Sequence, residues 1–364
     1  MKIVYANDVV YKYAIGDPSA RGGAERYGWY LMKALAHAGW SVTVGAQFSL
    51  GEGETRIIDG VKFLGLTRRA HFLLDWYTFL RSERPDWCFY QCADHLWGPM
   101  AEIARQLGVR TAFSVMHDMD VQPRLALWHR KSWWRLYEWG LRRSDIIFVQ
   151  HQGQRAFLPP SWQAKAYFLP GIVPLVGRYM PHDERRKTVA WVAVIRPPKR
   201  PDLLLEIAQR LPMVHFTVCG APSLGHWDTR VIERLIAQLQ SLPNVHYRGH
   251  VPPEEAIKVI GEASLLLSTS DGEGFPSVFL EAWAAGTPVV SMKIDPDSRI
   301  MECGLGKVAG SVAEAAEAVR SLMASPESCE AMGIKSRHHV EEVFSETSAV
   351  AGFEAAVTEA MKIS

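Results

Sequence analysis

Short apolar runs alternate with amphipathic stretches along almost the whole chain. That alternation restricts the fold to parallel α/β architecture. In the first half, residues 3–6, 42–46, 87–91, 111–115, 146–149 and 166–169 read as strands, and 24–38 reads as a helix stopped by Gly39. The pattern halts in a Pro/Gly-rich segment (Pro170, Gly171, Pro174, Gly177, Pro181) and a charged cluster, residues 183–187. Such a shift marks a domain boundary. It then restarts, with strands expected at 189–194, 215–219, 245–247, 264–268 and 288–291. Helices are expected at 201–210, 228–241, 253–262 and 276–285, and in three stretches from 312 to 363. The expectation is two Rossmann-like doubly wound domains facing across a cleft, with ligands at the carboxyl ends of the strands. Residues 1–175 form the first and 176–345 the second, and 346–364 form a C-terminal helix that packs back on the first.

A chain of 364 residues suits two such cores. With 48% hydrophobic and 22% charged residues, disorder and fibrous repeats are excluded. A net charge of +1 argues against nucleic acid or another strong polyanion as partner. The balance conceals an asymmetry: residues 1–175 carry 21 Lys and Arg against 15 Asp and Glu, net +6, and the remainder is net −5. The five cysteines are scattered, and Cys88 and Cys92 lack the second pair a zinc site needs, so reduced thiols are expected. Residues 1–8 lack the apolar run of a signal peptide, and no stretch approaches the roughly 20 apolar residues of a membrane span. The expected location is the cytoplasm.

Residues 268–290 carry the chemistry. They read strand, glycine-bearing turn, helix, stop, strand, with Pro276 suited to a first helical turn and Gly286 to the end. From Val278 to Ala285 every residue is apolar except Glu281. A helix apolar all round is buried, so Glu281 requires a partner, structural or ligand. Gly272 and Gly274 are expected to let a ligand approach the backbone, beside a helix N-terminus that favours phosphate. Glu273 projects from that turn, eight positions before Glu281. Two carboxylates so placed suit a ligand with two sets of hydroxyls, as a nucleotide sugar has.

Glu273 and Glu281 with Gly274, Phe275 and Pro276 between them, followed by Glu281-Ala282-x-Ala284-x-Gly286-x-Pro288, resemble the E-x7-E signature of retaining glycosyltransferases of family four, which have the GT-B fold. The resemblance implies that Glu273 and the backbone after it contact the donor sugar while Glu281 holds the ribose. Gly22 and Gly23 before a helix are similar to the family's opening glycine turn. Gly249, His250 and Val251 resemble the turn that receives the nucleobase, and His117 sits where a histidine lies near the donor sugar. At the phosphate site the chain departs from the family: Lys199 is retained, but Val194 stands where an arginine is usual, leaving Arg196 or Arg200 to replace it.

The resemblance implies a UDP- or GDP-sugar donor and a glycan acceptor, lipid-linked or not, in surface polysaccharide or glycoconjugate synthesis. It implies front-face transfer with retention, in which the departing diphosphate takes the acceptor's proton, and neither metal nor other cofactor. Alternatives are a catalytically silent sugar-nucleotide-binding protein and a GT-B-fold sugar-nucleotide epimerase.

Asp118-Met119-Asp120 imitates the D-x-D of metal-dependent glycosyltransferases, a motif of a single-Rossmann fold; here both acids are expected not to be ligands. Asp295 and Asp297 read as turn residues, and residues 16–23 fail the spacing of a nicotinamide-binding loop. Residues 124–143 hold Arg124, Arg130, Lys131, Arg135, Arg142 and Arg143 against Glu138 alone, with Trp128, Trp133, Trp134, Tyr137 and Trp139 interleaved. On a helix, Trp133, Leu136, Tyr137 and Gly140 share one side. Arg68, Arg69, Phe72, Trp76, Arg81 and Arg84 form a similar stretch. The expectation is peripheral contact with the anionic inner face of the membrane, weighed against tryptophans that pack in the core beneath a solvated basic face.

Overall fold

The computed structural model describes residues 1–17, 19–20, 22–67, 72–127, 132–175, 179–222 and 229–362. Arg68, Arg69, Trp128, Arg130 and Lys131 of the basic stretches lie outside the described residues. The chain divides into two compact units, Met1–Ile172 with Glu346–Ser364, and Val173–Ser345.

The first unit runs β1 (Lys2–Ala6), α1 (Asp8–Ala14), α2 (Gly23–His37), β2 (Ser41–Ala46), β3 (Thr55–Ile58), β4 (Val61–Gly65), α3 (Phe72–Glu83), β5 (Trp87–Gln91), α4 (Trp97–Gln106) and β6 (Arg110–Ser114). It continues α5 (Pro123–Ala126), α6 (Trp134–Arg143), β7 (Ile146–Val149), α7 (Gln152–Phe157), α8 (Pro160–Gln163) and β8 (Ala166–Phe168). The sheet order is β3-β4-β2-β1-β5-β6-β7-β8, parallel except for the β3–β4 hairpin. The central strands are apolar on both sides because helices cover both faces, giving one core around Tyr5, Leu31 and Phe63 and another around Trp76, Phe113 and Tyr137. The last helix, Glu346–Lys362, belongs to this unit. Its Phe353 is fully buried, 5.4 Å from the Trp40 ring and 5.1 Å from Phe148, and Glu354 accepts the Trp40 indole N–H at 2.9 Å. Burying one such phenyl group stabilises by about 1.5–3 kcal/mol, enough to hold a helix that marginal local propensity would not.

The second unit runs β9 (Arg186–Val192), α9 (Pro201–Arg210), β10 (His215–Cys219), α10 (Thr229–Ser241), β11 (Val245–Gly249), α11 (Pro253–Glu262), β12 (Ala263–Ser268) and α12 (Ser277–Ala284). Then follow β13 (Val289–Ser291), α13 (Arg299–Glu302), β14 (Gly306–Val308), α14 (Val312–Met323) and α15 (Pro326–Val343); the first unit's last helix, Glu346–Lys362, is α16. Its all-parallel sheet has the order β11-β10-β9-β12-β13-β14. Connections leave β9 toward β10 on one side and β12 toward β13 on the other, so the strand order reverses between β9 and β12. In open α/β sheets, ligands bind at the strand carboxyl ends beside such a reversal.

Three strands lie outside the expected runs. β3 is an exposed edge, β4 alternates, and β14 is three residues beginning with glycine. The charged cluster 183–187 is not wholly solvated: Arg185 is 5% exposed. Its guanidinium donates to the carbonyls of Met180 (2.9 Å) and Ala285 (2.7 Å) and to Thr287 Oγ1 (2.6 Å). A cation at the C-terminal end of α12 meets the negative end of the helix dipole. Gly286 just beyond has φ +70°, and a Cβ there would come within 2.5 Å of the Tyr179 ring, so the helix stop is fixed by packing as well as by backbone conformation.

Candidate active site

The reversal between β9 and β12 brings two loops together, residues 193–200 and 269–276. The Trp191 indole donates to Thr269 Oγ1 at 3.0 Å, and the Thr269 hydroxyl donates to the Lys199 carbonyl at 2.7 Å. Asp271 N–H donates to the Pro198 carbonyl at 2.8 Å. So stitched, the loops hold Lys199 Nζ against the Glu273 carboxylate, an ion pair whose side chains are only 15% and 13% exposed. Lys199 and Glu273, 74 residues apart, were each expected to meet the donor. In this structure they meet each other.

The two candidate arginines differ in their contacts within the same loops. Arg200 is held in the left-handed region (φ +48°), its Nε 3.0 Å from both oxygens of Asp202 and its Nη1 3.1 Å from Asp271. These contacts stabilise its charge and hold its pKa above the ordinary value. Arg196 is exposed and forms no ion pair among the described residues, and Val194 is also exposed. Arg196 thus keeps guanidinium donors that no ion pair among the described residues uses.

α12 begins after Pro276 with no side-chain cap, and within its first turn the Phe279 N–H donates to the Pro276 carbonyl at 3.0 Å. Pro276 itself has no N–H, and the Phe275 ring packs in the core 5.2 Å from Phe344. What Gly274, Phe275 and Pro276 can offer a ligand is thus backbone rather than side chain. Neither Gly272 nor Gly274 has a positive φ, and a Cβ at Gly272 would meet nothing within 4 Å. Backbone strain does not require glycine there, contrary to the usual reason for a glycine turn. Glu281 is 4% exposed, on a helix whose Phe279, Leu280, Ala282 and Trp283 are buried. At the end of β11, Gly249 (φ +67°) turns the chain, and its carbonyl accepts the Gly220 N–H at 2.7 Å. His250 is exposed and Val251 half-buried beyond it.

Gly22, Gly23 and His117 belong to the first unit. Gly22 caps α2 without a side-chain bond, and Gln91 Nε2, at the end of β5, ties the first turn by donating to the Ala24 carbonyl at 2.8 Å. His117 precedes a 3-10 turn, Asp118–Val121, and its Nδ1 accepts the Met119 N–H at 3.1 Å. With Nδ1 accepting, Nε2 is the ring nitrogen that can donate. Asp120 completes the turn, accepting the amides of Met116 (2.9 Å) and His117 (3.0 Å). Burial raises the Asp120 carboxyl pKa above its ordinary value, although these amides pull it down. Asp118 Oδ1 lies 2.7 Å from His151 Nε2 and accepts Gln154 Nε2–H at 3.1 Å. Both acids of the D-x-D are thus engaged in the protein's own contacts. No cluster of three metal-binding side chains occurs among the described residues.

α6 differs from the expected lipid-facing side. Tyr137 and Gly140 point into the core, and the Tyr137 hydroxyl donates to the Asp120 carbonyl at 2.7 Å. Trp133 and Leu136 remain exposed, as do Leu125 and Met119, beside Arg135 and Arg142, while the Arg124 guanidinium lies 4.7 Å over the Trp134 ring. No described helix is long and apolar enough to cross a membrane. All five cysteines are free thiols.

Residues 179–339 match the family "Glycosyl transferases group 1", and residues 22–166 match "Glycosyl transferase 4-like domain". D-inositol 3-phosphate glycosyltransferase of Mycolicibacterium smegmatis is 37% identical over 118 residues, 32% of this chain and 26% of that protein. The enzyme of the same description from Segniliparus rotundus is 32% identical over 162 residues, 42% of this chain and 35% of that one. The matched region thus spans only about a quarter to a third of these relatives' length. Among solved structures, sucrose-phosphate synthase of Thermosynechococcus elongatus superposes with TM-score 0.78 at 16% identity, covering 100% of both chains. Anabaena HepE in complex with UDP-glucose gives 0.72 at 15% identity, covering 98% of this chain and 100% of that one. These likenesses identify the GT-B fold.

Proposed function

The chain belongs to the group 1 glycosyltransferases, and on that premise we propose that it transfers a sugar, with retention of configuration, from a UDP- or GDP-sugar to a glycan acceptor. The observation that carries the reading is the Lys199–Glu273 pair at the reversal of the second sheet, beside the uncapped start of α12. Donor binding exchanges that internal pair for ligand contacts. Lys199 and Arg196 take the diphosphate together with the α12 amides, and Glu273 turns to the sugar. Charge that builds on the leaving diphosphate then meets fixed cations and helix N–H groups. Glu281 holds the ribose, the turn at Gly249, His250 and Val251 receives the base, and His117 supplies Nε2–H to a sugar hydroxyl. Gly22 and Gly23 offer backbone amides. The acceptor oxygen forms a bond to the anomeric carbon as the bond to the diphosphate breaks, and a diphosphate oxygen takes the acceptor proton. No metal takes part in this scheme, because Lys199, Arg196 and the helix start carry the neutralisation. The UDP-glucose complex of HepE supports the donor class.

The acceptor in this reading is a lipid-linked glycan of surface polysaccharide or glycoconjugate synthesis, met at the cytoplasmic leaflet. Exposed Trp133, Leu136 and Leu125 beside Arg124, Arg135 and Arg142 support a resting face on anionic lipid, at about 1 kcal/mol per well-placed cation. Sedimentation with phosphatidylglycerol vesicles should be salt-sensitive and fall when Arg124, Arg135 and Arg142 become Glu. Indifference to such vesicles at low ionic strength would point to a soluble acceptor.

The direct test screens UDP- and GDP-sugars for thermal stabilisation and then for hydrolysis or transfer. Stabilisation by one donor, with transfer abolished in Lys199→Gln, is the expected result. A donor that binds but is never cleaved would leave a silent binding protein, and an epimerised nucleotide sugar formed without acceptor would identify an epimerase. No stabilisation by any donor would defeat the reading.

A further inference from the structure

A second concavity in the same unit has no part in the chemistry above. Parallel strands covered on both faces read as continuous apolar runs, but β10 and β11 alternate. Phe216, Val218, Val245 and Tyr247 turn to the core beneath α9 and α10, while Thr217, His246 and Arg248 turn the other way. On that other face α11 packs over β9 and β12 through Val259 and Ile260 and leaves β10 and β11 open. The result is a groove of about 300 Å³ between α11 and the sheet. That is the lower end of the size range for small-molecule sites.

Its floor is hydroxyl-bearing. Thr188 and Thr217 are half-buried, and neither side-chain hydroxyl is bonded to another described residue. Thr217 pairs in register with His246 on β11, so hydroxyl and imidazole stand side by side. The wall is one stripe of α11 in which Glu255, Lys258 and Glu262 recur at helical spacing. Arg248 Nη1 reaches Glu255 at 2.9 Å, Arg186 Nε reaches Glu262 at 3.2 Å, and Lys258 stands 4.0 Å from the other Glu262 oxygen. Two carboxylates thus face three permanent cations and a histidine. One positive charge is left uncompensated, and each arginine keeps donors that these pairs do not use.

We propose that this groove is a binding site for a small phosphorylated polyol. The phosphate sits against Lys258, the cation left over when Arg248 pairs with Glu255 and Arg186 with Glu262, and takes the donors Arg248 does not use. The polyol hydroxyls bond to Thr188, Thr217 and the carboxylates Glu255 and Glu262. A carboxylate wall disfavours a bare anion and favours a ligand that brings hydroxyl donors along with its phosphate. The site is separate from Lys199 and Glu273, so it stands whether or not the donor reading holds.

The test is calorimetric titration of the full chain with glucose 6-phosphate, glycerol 3-phosphate and inorganic phosphate. The sugar phosphate should bind at least tenfold tighter than inorganic phosphate. Arg248→Gln with Lys258→Gln should weaken it at least tenfold with the melting temperature kept, since both side chains are on the surface. Lys199→Gln, which disables the other anion-binding loop, should leave it unchanged. Loss of binding in Lys199→Gln, equal affinity for inorganic phosphate, or no binding by either ester would each overturn the proposal.

Discussion

Two acid-bearing loops, one in each unit, show how little a carboxylate's residue type says about its task. In the first unit, Asp118 and Asp120 follow β6 in a spacing that imitates a metal site. Backbone amides occupy Asp120, and His151 with Gln154 occupies Asp118. In the second unit, Glu273 follows β12, and its partner is the side chain of Lys199 from another loop. A carboxylate held by backbone amides, as Asp120 is, is fixed for as long as the turn exists, and Asp118 is held by two side chains at once. One held by a flexible ammonium can exchange its partner for a ligand, and that difference separates scaffold from candidate chemistry.

The comparison is tested most severely by Lys199→Gln and Glu273→Gln. Each is expected to lower turnover by about 100- to 1,000-fold, the range for losing one preorganised electrostatic group. Asp118→Asn should stay within a few-fold of wild type. If Asp118→Asn falls as far as Lys199→Gln, the division between the loops is wrong. Glu281→Gln comes next. Loss of a charged acceptor for ribose hydroxyls costs about 1.5–3 kcal/mol, so donor affinity should fall by about 10- to 150-fold while bound donor turns over normally. Unchanged donor affinity would remove Glu281 from the site.

Asp120→Ala should act on stability instead. The stranded amides of Met116 and His117 cost about 1–3 kcal/mol, read as a lower unfolding midpoint in urea. Transfer should also survive chelator in the wild type. Activity lost in EDTA and restored by Mn²⁺ would return the two aspartates to the chemistry.

The smallest effect concerns pH. Burial lowers the pKa of His182 and His339 in the second unit below the ordinary 6.5. Between that value and the depressed native one the unfolded chain binds more protons, so the second unit loses stability as pH falls through the window. Asp120 works the other way. Its raised carboxyl, like that of half-buried Asp295 in the second unit, takes up a proton in the native chain before the unfolded one does, so each unit gains from such a group as pH falls toward 3.8 and the two histidines set the difference. Calorimetry between pH 7 and 5 should show the second unit's transition moving down relative to the first. The reverse order would refute the assignment.

Much of this was legible without coordinates. The apolar runs at 87–91, 146–149 and 264–268 coincide with strands, and 201–210 and 253–262 coincide with helices, because fully covered parallel strands and amphipathic helices leave strong periodic signals. The β3–β4 hairpin and β14 were not legible. Short exposed or glycine-led segments pair because a neighbouring edge is available, not because their own residues demand it. The burial of Arg185 was not legible for a related reason: the carbonyl at the end of α12 and the Thr287 hydroxyl that take up its donors lie 100 or more residues away.

The sequence by itself determined the two α/β repeats, the break between them and the 273–281 spacing that points to the candidate site, since all of these are encoded in neighbouring residues. Only the tertiary structure decided that Lys199 and Glu273 face each other, that Arg200 is committed to Asp202 and Asp271 while Arg196 is not, and that Asp118 and Asp120 are held internally. Those outcomes depend on which strand ends the crossover connections bring side by side. Electrostatic and hydrogen-bond energies fall off over a few ångströms, a distance that bears no relation to separation along the chain.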